Sequence, residues 1–126
     1  MSAHTRESCN TLHVLDVEKR EWSTGPAPNA ATPSPRCHHA AAVLPGSAHW
    51  VVMGGVGGQD GKTALADVHL FDLERWRWTV VEFEPGLASP APRGSHTLNS
   101  VPASQLTEAG DVVRVCVCVW RARHCF

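Results

Sequence analysis

Leu12-His13-Val14-Leu15-Asp16-Val17-Glu18-Lys19-Arg20-Glu21-Trp22-Ser23 recurs, without a gap, as Val68-His69-Leu70-Phe71-Asp72-Leu73-Glu74-Arg75-Trp76-Arg77-Trp78-Thr79. The shift is 56 residues, and the histidine, aspartate, glutamate and second-to-last tryptophan keep their places. Further along, Pro35-Arg36-Cys37-His38-His39 is answered 57 residues later by Pro92-Arg93-Gly94-Ser95-His96, so the intervening loops differ by one residue. A period of this length is the mark of a chain built from stacked supersecondary units.

Each unit reads as strands. Leu12 to Val17 and Val68 to Leu73 are six-residue runs rich in Val, Leu and Phe, each followed by a short charged turn and a Trp-led strand. Apolar residues fall on both faces of these runs, which predicts sheets covered on both sides. The complete unit holds another pair: His39 to Leu44, a Pro45-Gly46-Ser47 turn, then Trp50 to Met53 ending at Gly54-Gly55. Four short antiparallel strands per period, stacked face to face, are what a propeller blade requires.

Pro35-Arg36-x-x-His39, the diglycine Gly54-Gly55 after an apolar strand, Asp67-Val68-His69-Leu70-Phe71-Asp72 and then Trp78 together resemble the kelch-repeat family. The resemblance runs from about Asn10 to about Val113. It implies an all-β fold, a kelch-type β-propeller fragment with about one complete four-stranded blade and parts of two neighbouring blades. Residues 1–9 form an N-terminal tail, the blade parts occupy 10–24, 36–80 and 95–113, and 114–126 is an atypical C-terminal tail. The family pattern implies that Gly54-Gly55 closes the second strand of a blade, where glycine permits positive φ and close backbone approach. It implies that Trp22 and Trp78 pack between blades, and that Arg36, His39, Arg93 and His96 make structural contacts between strands.

A closed ring needs roughly four to eight blades of about 50 residues each, and this chain has 126 residues. After Pro92-Arg93-Gly94-Ser95-His96 an apolar strand and a diglycine are expected, but from Asp111 the sequence reads Val-Val-Arg-Val-Cys-Val-Cys-Val-Trp. This unit has no diglycine and no third Trp-led strand, as in a reading that leaves the family through truncation, alternative splicing or a mispredicted gene. Val112 to Trp120 is β-prone and free of proline, an aggregation hazard on an open edge.

Eleven Lys and Arg against twelve Asp and Glu leave a net charge of −1, which gives no electrostatic reason for a nucleic-acid or anionic-membrane partner. Met1 to Asn10 has no apolar core, and no run approaches the roughly 20 apolar residues of a membrane span. Five cysteines without regular spacing argue against a disulfide framework. An intracellular setting, cytoplasmic or nuclear, is expected.

Candidate chemistry is sparse. Gly61-Lys62-Thr63 ends like a phosphate-binding loop, but Val56 stands where its first glycine should be and a strand follows where a helix is required. The dinucleotide pattern fails at Asp60. Cys116, Cys118, His124 and Cys125 are zinc-ligand types at poor spacing. No nucleophile and base accompany His38, His39, His49, His69 and His96, so neither catalysis, a metal nor a cofactor is expected. Binding remains, with loops on a rigid scaffold as its usual place. The candidates are Gln59, Asp60 and Lys62 at the tip of Gly57 to Ala64, and the connectors Gly25 to Pro35 and Pro85 to Pro92. The sequence thus predicts a protein-protein interaction module, a fragment or isoform of a larger propeller scaffold or adaptor. The alternatives are an incomplete product that self-associates through open blade edges, or a remnant of a propeller enzyme.

Overall fold

The computed structural model describes residues 8–101 and the backbone of Arg114–Cys118. These residues form strands and no helix: β1 (His13–Asp16), β2 (Glu21–Thr24), β3 (Arg36–Cys37), β4 (Ala40–Val43), β5 (His49–Gly57), β6 (Thr63–Asp72), β7 (Arg77–Val80), β8 (Thr97–Val101) and β9 (Arg114–Cys118). The order β4-β5-β6-β7 is an antiparallel meander, with β3 on the far half of β5. It is one complete blade, flanked by the hairpins β1-β2 and β8-β9 as parts of two more.

The repeat is carried into backbone detail. The Asp16 carboxylate accepts from the amides of Glu18 (3.1 Å) and Lys19 (2.9 Å). Asp72 does the same for Glu74 (2.9 Å) and Arg75 (2.8 Å). Such side-chain turns fix the hairpin without help from the rest of the fold. Each turn ends on a left-handed non-glycine residue, Arg20 (φ 59°) and Trp76 (φ 56°). His38 (φ 56°) and Ser95 (φ 54°) form a second pair of this kind, 57 residues apart.

Both faces of the complete blade are covered. On one face Val52, Phe71 and Trp78 are buried against Leu12, Ala31 and Trp50, which joins the blade to the first hairpin and its connector. On the other face Ala40, Val51 and Met53 pack with Leu98 of β8. Alternation along β5 sends Val52 to one side and Val51 and Met53 to the other, as the two-sided apolar pattern requires.

The structure corrects several expectations. Gly54-Gly55 does not close its strand: β5 continues to Gly57 through a bulge between Met53 and Gly55, and β6 begins at Thr63, ahead of Val68. The glycines take φ of 61° and 103°, so they bend the strand and let pairing resume at Gly55 with Leu65. The short strand β3, paired with this extension, was not foreseen. Trp22, expected between blades, is 69 % exposed, whereas its repeat partner Trp78 is 8 % exposed. No described residue covers the Trp22 face as Leu12 and Ala31 cover that of Trp78. Beyond Val113, where a tail was expected to begin, β9 pairs with β8, so the third blade part extends to Cys118. The rest of the Val112 to Trp120 run lies outside the described residues.

Trp78→Ala is expected to cost about 3 to 5 kcal/mol, and Trp22→Ala to stay within about 0.5 kcal/mol. Urea unfolding of the two variants beside the parent checks both.

Candidate interaction surface

Antiparallel alternation brings the β5–β6 loop to one end of the blade. Within it the Asp60 carboxylate accepts from the amides of Lys62 (2.9 Å) and Thr63 (3.2 Å) and from the Thr63 hydroxyl (3.1 Å). Gly58 (φ 81°) and Gly61 (φ 64°) supply the left-handed turns, and the Gly61 amide donates to the Gly58 carbonyl. These bonds hold the Asp60 carboxyl below its ordinary range, the Lys62 amide first among the causes. They also consume the amides that a phosphate would need, and β6 follows where a phosphate loop would open a helix. Gln59, Asp60 and Lys62 are all exposed. Gln59 and Asp60 line a groove of about 430 Å³ together with Pro35, Cys37 and Ser8, and Lys62 is not among its lining residues.

Behind the loop lies a charged hub. The buried Arg36 guanidinium donates to both oxygens of Asp67 (2.6 and 2.7 Å), to the Gly54 carbonyl (3.0 Å) and to the Ser34 carbonyl (3.1 Å). Paired forks of this sort give geometry as well as attraction. Asp67 also bonds His69 Nε2 (2.7 Å), and His69 Nδ1 lies 2.8 Å from the Ala31 carbonyl. One carboxylate thus ties β3, β5, β6 and the Gly25 to Pro35 connector together. Burial pushes the Asp67 carboxyl up, but the Arg36 and His69 bonds outweigh it and hold the group at about 2.

Gly54-Gly55 is the seat of the next blade part. The Gly55 amide donates to the Arg93 carbonyl (2.8 Å), the Arg93 amide to the Leu65 carbonyl (3.0 Å), and the Ser95 amide to the His38 carbonyl (2.9 Å). A Cβ on Gly54 would lie 2.7 Å from the Arg93 oxygen, and one on Gly55 2.8 Å from the Cys37 oxygen. His39 and His96 flank the pair, close to Gly55 and Gly54 respectively. Burial lowers the pKa of His39, with Arg36 adding to it. His96 is also lowered, by burial first and by Arg93 next. Arg93 copies the local bond of Arg36, with Nε donating to the Ala91 carbonyl (2.9 Å), but among the described residues it meets no carboxylate.

A crevice of about 100 Å³ between the first hairpin and the blade is lined by Cys9, Leu12, Arg36, His39, Trp50 and Trp78. Among the described residues no three His, Cys, Asp or Glu side chains gather as a metal site would need. Cys116 and Cys118 are placed by backbone alone on β9, and His124 and Cys125 lie outside the described residues.

The sequence model of the KLHDC2/KLHL20/DRC7 kelch-repeats domain matches residues 2–109. The chain belongs to the kelch-repeat family. Kelch domain-containing protein 1 of Mus musculus is 33% identical over 97 residues, which are 77% of this chain and 22% of that protein. Kelch domain-containing protein 2 of Bos taurus is 32% identical over 105 residues, 83% of this chain and 24% of that protein. The Rab9 effector protein with kelch motifs of Rattus norvegicus is 35% identical over 91 residues, 71% of this chain and 23% of that protein. This kelch chain therefore spans about a quarter of the length of such relatives.

Sequence reasoning quoted Asp67 within the kelch pattern but gave it no role. The available signal was that a buried Arg36 needs a carboxylate. The His69 link to Ala31 had no sequence signal, because it depends on how the connector folds back.

The pH dependence follows from these groups. His39 and His96 have folded pKa values below 6.5, so the unfolded chain takes up protons first as pH falls. Their stabilisation is present above about pH 6.5 and is lost through the folded values. Asp67, at about 2, adds a second loss as pH drops below about 4. The urea midpoint should thus fall in two stages between pH 7.5 and pH 2.5, and His96→Gln should flatten the upper one. Asp67→Asn strands the buried Arg36 cation, and should cost somewhat less than the roughly 3 to 5 kcal/mol of a fully buried pair, because the Asp67 side chain is 38% exposed. Urea unfolding at pH 7.5 measures that loss.

Proposed function

We propose that this kelch chain is a non-catalytic protein-interaction module, a portion of a larger propeller scaffold or adaptor working in the cytoplasm or nucleus. Its partner contacts the loop end carrying Gln59, Asp60 and Lys62. The observation that carries the reading is a preformed exposed loop, tied by Asp60 at its tip and starting at Gly57, which pairs with Arg36 of the Arg36–Asp67 hub. A loop already held in shape gives up little conformational freedom on binding. One relative is named a Rab9 effector, in keeping with protein recognition by this repeat. A second reading, self-association, draws on the edges of β1 and β9 that have no strand partner among the described residues.

The test is quantitative proximity labelling in cells with the parent chain and with Gln59→Ala/Lys62→Glu. The double variant should keep the parent's melting temperature, because both side chains are exposed and make no side-chain hydrogen bond. Neighbours that depend on the loop should drop several-fold in the variant. An unchanged neighbour set would remove the loop from the binding surface.

A further inference from the structure

β6 has two partners, β5 and β7, whereas β1, its repeat counterpart, has only β2 among the described residues. β5 pairs with both β4 and β6, whereas β9 has only β8 among the described residues. The two hairpins are therefore complementary halves of one blade. The first supplies the third and fourth strands, and the last supplies the first and second.

The registers agree residue by residue. Ala40, Ala41, Ala42 and Val43 face Met53, Val52, Val51 and Trp50. Thr97, Leu98, Asn99 and Ser100 face Cys118, Val117, Cys116 and Val115 in the same order. Carrying the β5–β6 register across the repeat sets Arg114 opposite Asp16, Val115 opposite Leu15, Cys116 opposite Val14 and Cys118 opposite Leu12. The first of these pairs replaces His49 opposite Asp72, where Nε2 lies 3.9 Å from Oδ2, with a full cation opposite a carboxylate. Cross-strand pairs of opposite charge favour one register over its neighbours.

Among the described residues, nothing pairs with the bonding groups on the open edge of β1. The Gly25 amide donates to the Leu12 carbonyl, so Leu12, Val14 and Asp16 turn their main-chain groups toward β2. His13 and Leu15 turn theirs outward. The apolar cost is visible beside this edge: Leu15 and Trp22 are 44 % and 69 % exposed, while their counterparts Phe71 and Trp78 are 1 % and 8 % exposed.

We infer that β9 of a second copy of this chain adds to the free edge of β1, so that two copies share one composite four-stranded blade with β8-β9 from one and β1-β2 from the other. This rests on and deepens the self-association reading, and is independent of partner recognition by the loop end, which uses a different surface. By sequence, Val119 and Trp120 follow Cys118 where Gly54 and Gly55 follow Met53. At Gly54 a Cβ would stand 2.7 Å from the oxygen of the next blade part, so the close seating made at Gly54-Gly55 has no counterpart and the association rests on the strand edge.

The experiment is light scattering of the chain under reducing conditions over a wide concentration range, with two variants. The parent should gain mass with concentration. His13→Pro removes an outward donor and spares the bonds to β2, so it should weaken association at least about tenfold. Val14→Cys, oxidised gently, should form an intermolecular disulfide with Cys116, identified by peptide mass spectrometry and absent in Val14→Cys/Cys116→Ser. A parent that stays monomeric at every concentration would overturn the inference. So would association that His13→Pro leaves intact, or a Val14→Cys chain whose new thiol joins other cysteines as often as Cys116.

Discussion

The close contact between Gly54-Gly55 and the Arg93 to His96 segment is the constraint on which the rest of the arrangement depends. A main-chain carbonyl must come within 2.7 Å of where a Cβ would stand on Gly54, and only glycine leaves that space. The positive φ values there bend β5 and expose the Gly55 amide to the Arg93 carbonyl. Gly94 is as tightly placed from the other side, where a Cβ would meet Val56 at 2.7 Å. With this seat occupied, Leu98 is delivered onto Ala40, Val51 and Met53, and the second face of the blade closes. Hydrophobic burial supplies the energy, but main-chain contact decides where the blades meet.

The charged hub works in the other direction along the chain. Arg36 bonds the Gly54 carbonyl and Asp67, and Asp67 with His69 reaches the Ala31 carbonyl in the connector. The carbonyl of a bulged glycine, left without a ladder partner, thus gains a charged donor. The connector in turn lays Ala31 beside the Val52, Phe71 and Trp78 cluster. Polar and apolar links between blade parts therefore lie within a few residues of each other, and loss of one loosens the other.

Much of this was legible in the sequence. The ungapped block from Leu12 to Ser23 against Val68 to Thr79 gave the unit, its strands and its turns, because these rest on local chemistry such as the Asp16 and Asp72 side-chain turns. The need for glycine at 54 and 55 was legible too. Its consequence was misjudged, since a diglycine can end a strand or bulge it, and the choice is made by Arg93 and Leu65 far along the chain. Trp22 was misplaced for a related reason: a repeat tells what a residue would pack against, not whether that neighbour is there. The β tendency of Val112 to Trp120 was read, but the pairing of β9 with β8 was not, because β8 reads as Thr-Leu-Asn-Ser-Val, a weak apolar pattern beside the Ala-rich β4. The loop residues Gln59, Asp60 and Lys62 stood out by their position between strands, but the shaping of the loop by the Asp60 carboxylate depends on how Lys62 and Thr63 fold back onto it.

The unequal surroundings of the tryptophans give the molecule an optical asymmetry. Trp50 and Trp78 stand 5.7 Å apart, with Phe71 between them and Trp76, so excitation absorbed by either indole is shared within a water-poor cluster. Trp22 emits from water, on the opposite side of the first hairpin from Leu12. Among the described tryptophans, the buried ones therefore contribute blue emission that reports the interior of the blade, while Trp22, with a share from the 39% exposed Trp76, contributes red emission that reports the surface. Iodide quenches the exposed indoles first, so the emission that survives it is weighted toward the core.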